Sequence, residues 1–129
     1  MKKIFIIFSF LVSTIIFSSP SYAEWSRVGK SNSGSTTYVD LERIRKHNGF
    51  IYFWRLADLL KPNKVGYMSY KLYVQGDCKL FRYKDLIFIQ TTKPMGLGTS
   101  KDPYTPPDKW KYPPPISISE KTLNSVCNG

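Results

Sequence analysis

His47 is the only histidine in a chain of 129 residues, so no second imidazole is available for a metal site or a proton relay. Cys78 and Cys127 are the only cysteines. If a bridge claims both, no thiol is left for a Cys–His nucleophile. The chain has no G-x-S-x-G elbow and no Walker loop, and Gly96-Leu97-Gly98 is too short to cradle a phosphate. Asp40, Glu42, Asp58, Asp77 and Asp85 are the carboxylates that could pair for acid–base work. Each has a simpler role in a turn, a cap or a surface ion pair. These residues point away from an enzyme, and no cofactor or metal is expected.

Basic and aromatic residues form the stronger pattern. Lys71, Lys79, Arg82 and Lys84 lie on or beside the segment 66–83. Lys101, Lys109 and Lys111 flank Tyr104, Trp110 and Tyr112 further on. Exposed Trp, Tyr and cationic side chains are the residue mix of a binding hot spot. Tyr104, Lys109, Trp110, Lys111, Lys71 and Arg82 are therefore the candidate binding residues. Trp110 has a second reading, as a plug packed over a sheet edge.

Charge and export narrow the partner. Lys2 and Lys3 precede an apolar run from Ile4 to Phe17, and Ser21-Tyr22-Ala23 places small residues at a cleavage site. That is the pattern of a secretory signal peptide over residues 1–23. The run of 14 residues is short against the ~20 that cross a bilayer. No membrane span is expected once it is removed. No cysteine follows it, so the sequence is not that of a lipoprotein. Residues 24–129 then form one small domain in the periplasm, on the cell surface or outside the cell. Without Lys2 and Lys3 the chain keeps 17 basic residues against nine acidic ones, a net charge of +8. Such a charge favours an acidic protein or glycan. Export makes nucleic acid the least expected anion. In an oxidising compartment Cys78 and Cys127 most simply form one intramolecular disulfide, with a free thiol or an intermolecular pair as the alternatives.

The elements that must position these residues are mostly strands. In Gly66–Tyr83, Met68, Tyr70, Leu72 and Val74 alternate with Ser69, Lys71, Tyr73 and Gln75, the period of a half-buried strand. Gly76-Asp77 is expected to turn the chain, with Cys78–Tyr83 and Asp85–Thr92 as two further strands. Lys84-Asp85 would be a bulge or tight turn between them. Trp25–Val28 and Thr36–Val39 read as a hairpin around the polar stretch 29–35. Asp40 is placed to cap a helical or turn-like Leu41–Ile44. His47-Asn48-Gly49 is a hairpin-turn signal. Phe50–Leu60 carries apolar residues on both faces and is expected to be central and covered on both sides. Lys61–Lys64 is the next turn. Residues 93–115 hold seven of the nine prolines and read as a long irregular connection. Ser117 and Glu120 fit a capping box, and Leu123, Val126 and Cys127 share one face of a short helix. The expected fold is α+β, mainly β: an antiparallel sheet of about six strands with a short C-terminal helix tethered by one disulfide.

Several short motifs stand in a familiar order. They are Trp25 after the signal, Tyr38-Val39-Asp40, Leu56-Ala57-Asp58, Ser69–Cys78 (SYKLYVQGDC), Met95–Gly98 (MGLG), Lys109-Trp110 and Val126-Cys127. In this the chain resembles the surface-adhesin protein E family of Gram-negative bacteria, over nearly all of residues 24–129. The resemblance implies a small antiparallel sheet with a C-terminal helix held across it by a disulfide, and Cys78 and Cys127 match that pair. It also implies a non-enzymatic binding protein, the family's namesake being an adhesin for host matrix and plasma proteins. An alternative is a periplasmic envelope-maintenance or stress protein with no host ligand.

Overall fold

The computed structural model describes residues 24–128. The signal peptide expected over residues 1–23 lies outside them. Six strands form one antiparallel sheet: β1 (Ser26–Lys30), β2 (Thr36–Val39), β3 (Arg45–His47), β4 (Phe50–Asp58), β5 (Ser69–Asp77) and β6 (Arg82–Thr91). The spatial order is β1-β2-β4-β5-β6, and β3 pairs with the end of β4 beyond β2. One helix, α1 (Ile118–Cys127), lies against β1, β2 and β4. Cys78, just after β5, is bonded to Cys127, the last residue of α1.

Local chemistry explains most of these boundaries. Asp40 accepts a hydrogen bond from the Glu42 amide and caps the 3-10 turn Leu41–Arg43. Asn48 and Gly49 both take positive φ (52° and 82°), as the two-residue turn between β3 and β4 requires. Ser117 caps α1 by accepting from the Glu120 amide at 3.1 Å. The capping box is not reciprocal, because Glu120 Oε1 accepts from the amide of Ile116 rather than of Ser117.

Alternation sorts the sheet into two faces. Val39, Ile51, Phe53, Leu72 and Val74 point to the helix side and form the core with Leu123 and Val126 of α1. Gly76 lies directly beneath the helix. A Cβ there would stand 2.8 Å from Ile51 Cγ2 and 3.1 Å from Leu123 Cδ1, so glycine lets the helix lie close to the sheet.

Four expectations change. Gly76-Asp77 does not turn the chain but completes β5, and the turn falls at Cys78–Phe81, where Phe81 takes the positive φ. Cys78–Tyr83 and Asp85–Thr92 are not two strands but mainly one, β6, with a bulge. The strand count stays at six because β3 was not anticipated in Arg45–His47, which is exposed throughout. β4 is not covered by a layer on both sides. Its second face is covered only at one end, where the turn Pro94–Gly96 lies over the fully buried Leu56; Tyr52 and Trp54 are half-buried, with aromatic rings packed mostly on one another.

The bulge in β6 shapes the second face. Tyr73 pairs with Ile87, but Val74 pairs with Asp85, so Leu86 is an extra residue. One extra residue reverses the facing of everything before it. Asp85 and Tyr83 therefore point to the helix side, and Arg82 and Lys84 to the open side.

Residues 93–115 follow the outer edge of β6. They begin with a 3-10 turn, Pro94–Gly96, and meet β6 at Thr91–Ser100, Phe88–Tyr104 and Tyr83–Lys111. The last two contacts are paired backbone hydrogen bonds of 2.8–2.9 Å. Proline makes this segment unable to form a full strand, yet the three contacts suffice to cover an edge that would otherwise invite strand pairing.

Candidate functional site

The open face of the sheet gathers the aromatic and basic side chains. Along its middle, Tyr52 stacks on Tyr73 at 6.2 Å between centroids, and Trp54 tilts against the other side of Tyr73 at 4.9 Å. Gln75 donates to the Tyr52 hydroxyl at 3.2 Å. Register places Arg45, Tyr52, Gln75 and Lys84 in one row across four strands, and Arg27, Tyr38, Leu56, Lys71 and Ile89 in another. All three rings of the middle group are half-buried.

One end of this face is closed by Trp110. Its ring lies 5.7 Å from Phe50, with the Arg82 guanidinium 4.2 Å and the Lys84 ammonium 4.5 Å from its centroid. Each cation over a ring is worth about 0.5–1 kcal/mol when exposed and more when desolvated. Lys84 also reaches the exposed Asp108 at 2.6 Å, which ties the loop down before Trp110 as the Tyr83–Lys111 backbone pair does after it.

Asp77 holds Arg82 in place. Its Oδ1 accepts from the Lys79 and Leu80 amides, each at 3.1 Å, and its Oδ2 accepts from Arg82 Nε at 3.0 Å. Burial alone would push this carboxyl up, but the Leu80 amide, the Arg82 guanidinium and the Lys79 amide together hold it below its ordinary 3.8. A folded-state value below the unfolded one means the stabilisation is fully present above pH 3.8 and is lost as pH falls through the folded-state value. Asp77→Asn is therefore expected to lower stability at neutral pH and to flatten its decline in acid. Urea midpoints from pH about 6 to about 2 check this. An unchanged acid limb in the variant would contradict it.

The candidate residues from sequence do not form one surface. Arg82 and Trp110 come together on the open face, joined by Lys84. Lys71 shares that face but sits six residues along β5 from Arg82's partner Asp77, about 20 Å away. Its stem packs where a Gly96 side chain would be. Lys111 turns to the helix side, with Nζ 2.8 Å from Asp85 Oδ2 and 6.0 Å over the Tyr83 ring. Asp85 is buried there, with Arg55 at 3.6 Å from an Oδ1 that has no hydrogen-bond partner. Tyr104 is exposed and meets Phe88 edge-on at 6.4 Å. Lys109 is exposed. Tyr52, Trp54 and Tyr73 were missed as site candidates. Their signal was present, since 52 and 54 share a parity in β4 and Tyr73 falls on the polar side of β5's alternation. Among the described residues, no group of three His, Cys, Asp or Glu side chains is placed to hold a metal ion. None of the described helices is long and apolar enough to cross a membrane.

Comparison with known proteins agrees with this architecture. Two crystal structures of Haemophilus influenzae protein E superpose with TM-scores of 0.66 and 0.68 at 15% and 16% identity. Both matches cover 84% of this chain, and 91% and 87% of the respective protein E chains. A third, from non-typeable Haemophilus influenzae, gives 0.56 at 15% identity over 85% of this chain and 76% of that one. At such identities the likeness establishes a shared fold. Among curated proteins, none matches the chain in sequence. The family profile described as surface-adhesin protein E matches residues 25–128, from Trp25 through the residue after Cys127. With that match spanning the whole sheet, the loop along β6 and the tethered helix, the chain belongs to the surface-adhesin protein E family.

Proposed function

We propose that this chain is an exported, non-enzymatic binding protein of the surface-adhesin type, and that its ligand surface is the open face of the sheet. The observation that carries this reading is the Tyr52–Tyr73–Trp54 group, half-buried in the middle of a sheet whose rows end in Arg45, Lys84 and Arg27, with Lys71 one place in from the remaining end. Rings already stacked on each other lose little side-chain freedom when a ligand covers them. Cations at the ends of the rows select an anionic ligand, an acidic glycan or an acidic stretch of protein. The acids on or beside this face are all engaged, Asp58 by the Met95 amide, Asp77 by Arg82 and exposed Asp108 by Lys84, so they oppose such a ligand weakly. The +8 charge of residues 24–129 adds long-range attraction. Trp110, Arg82 and Lys84 form one wall of this surface. Lys111, turned to the helix side, and Tyr104, packed on Phe88, lie outside this surface.

Immobilised heparin, with an acidic host-matrix protein alongside, tests the reading. Wild-type protein is expected to bind in a manner that weakens as salt is raised. Tyr73→Ala and Lys84→Ala are each expected to weaken binding about tenfold, the size of a moderate hot spot. Absence of salt-sensitive binding to either, or full retention by both variants, would refute it.

A further inference from the structure

At the opposite end of the molecule from the disulfide lie three connections: residues 31–35, 59–68 and 92–100. They carry Lys61, Lys64 and Lys93, with Lys30 and Lys101 at their edges, all exposed, and no acidic residue. Asp58 at their base is occupied by the Met95 amide, and exposed Asp102 just follows Lys101. Glu24, Asp40 and Glu42 lie at the other end of the sheet.

Three large aliphatic side chains stand among these lysines: Val65 is 76% exposed, Leu60 64% and Leu97 51%. Val65 and Leu97 are not exposed through looseness. Asn63 Oδ1 accepts from the amides of Val65 and Tyr67, at 3.1 and 2.9 Å, and its Nδ2 donates to Gln90 Oε1 at 3.1 Å. Gly66, at φ +100°, donates its amide to the Asn63 carbonyl. The turn is thus braced on β6, with Val65 held outward. Leu97 is held likewise. Its amide donates to Pro94 O and its carbonyl accepts from Lys93, while Ser69 Oγ fixes the same turn by donating to Lys93 O and accepting from Gly96.

We propose that this end of the molecule is a docking site for an anionic lipid bilayer. Leu60, Val65 and Leu97 would enter the boundary between headgroups and acyl chains, and the lysines would engage lipid phosphates. Lysine stems beside apolar side chains suit that boundary, because the charge reaches the headgroups while the stem stays in the apolar layer. Charge complementarity favours an anionic bilayer over a neutral one. The composition favours a bilayer over a protein partner. Protein hot spots are built on Trp, Tyr and Arg, whereas the long exposed side chains of this tip are Leu60, Leu97 and lysines, among small polar residues and prolines. The site is separate from the aromatic face and does not depend on that reading.

Flotation of the protein of residues 24–129 with phosphatidylglycerol–phosphatidylcholine vesicles, against pure phosphatidylcholine vesicles, is the test. Binding is expected to the anionic vesicles and to be about tenfold weaker in each of two double variants, Leu60→Ser/Val65→Ser and Lys61→Gln/Lys64→Gln. All four positions are exposed, so unchanged thermal midpoints exclude misfolding as the cause. The Leu60→Ser/Val65→Ser protein should keep its heparin affinity, which separates this site from the aromatic face. In Val65→Trp, indole emission should move to shorter wavelength when anionic vesicles are added. No preference for phosphatidylglycerol, full binding by Leu60→Ser/Val65→Ser, or no emission shift in Val65→Trp would each overturn the proposal. Full binding by that serine variant would mean simple surface charge attraction.

Discussion

Replacing Cys78 and Cys127 together by serine is expected to cost about 4 kcal/mol of stability. The two residues are 49 apart in sequence, and the bridge restrains that whole stretch in the unfolded chain. On the chain-entropy model a loop of this length loses about 4 kcal/mol of unfolded-state freedom, between the values for 15-residue and 100-residue loops. Small domains have only about 5–15 kcal/mol in total. At about 4–8 °C per kcal/mol, the melting midpoint should fall by at least about 15 °C. The loss should be larger than for most single substitutions because the bridge also fixes α1, whose ten residues are too few to be helical alone. Leu123 and Val126 reach the core only if that helix is docked. Thermal and urea unfolding of the double variant measure the effect. A loss below about 1 kcal/mol would mean that packing alone holds α1 to the sheet.

Phe53→Ala should be comparably severe, at about 3–5 kcal/mol. Phe53 is 1% exposed and sits among Ile51, Val74, Leu72 and Leu123 at the contact of sheet and helix. Its ring edge lies 3.4 Å from where a Gly76 Cβ would be. The surroundings are braced by the hydrogen-bonded ladder of β4 and β5 and by the tethered helix, so they can collapse little into the space left behind. The variant adds a cavity cost to the lost burial. Urea unfolding gives the number directly, and an unchanged m-value would show that the unfolded state was not altered. Phe50, three residues away on the other face, is only half-buried beneath Trp110, and Phe50→Ala serves as the contrast with a smaller loss. Equal losses at the two positions would mean that the core is not where the burial places it.

Much of the fold was legible because its signals are local. Met68 to Val74 alternates cleanly, and β5 forms there. Asn48-Gly49 tolerates positive φ, and the hairpin turns there. Ser117 precedes an apolar helical face by the right interval, and α1 starts there. The pairing of Cys78 with Cys127 followed from there being only two cysteines in a chain whose first residues read as an export signal. The turn at Gly76-Asp77 was misplaced because glycine permits a turn without requiring one. Here it serves the close approach of α1, which no local pattern announces.

The surface was less legible, since it depends on which strands become neighbours. Lys109, Trp110 and Lys111 are adjacent in sequence, yet Trp110 and Lys111 end on opposite sides of the sheet. Arg82 and Lys84 reach Trp110 only because Leu86 is an extra residue in β6, a bulge hidden inside a continuous apolar run. Tyr52, Trp54 and Tyr73 are unremarkable as strand residues until β4 and β5 pair in a register that sets them side by side.

Sequence alone thus determined the class of the fold, the disulfide and the basic balance of charge, which follow from composition and short-range spacing, and the family, which rests on the resemblance of its ordered motifs. Tertiary structure decided which aromatic and cationic groups share a face and which apolar side chains remain in solvent. Facing depends on strand register and on a single bulge, and those are settled by long-range pairing and by the packing of α1 over Gly76.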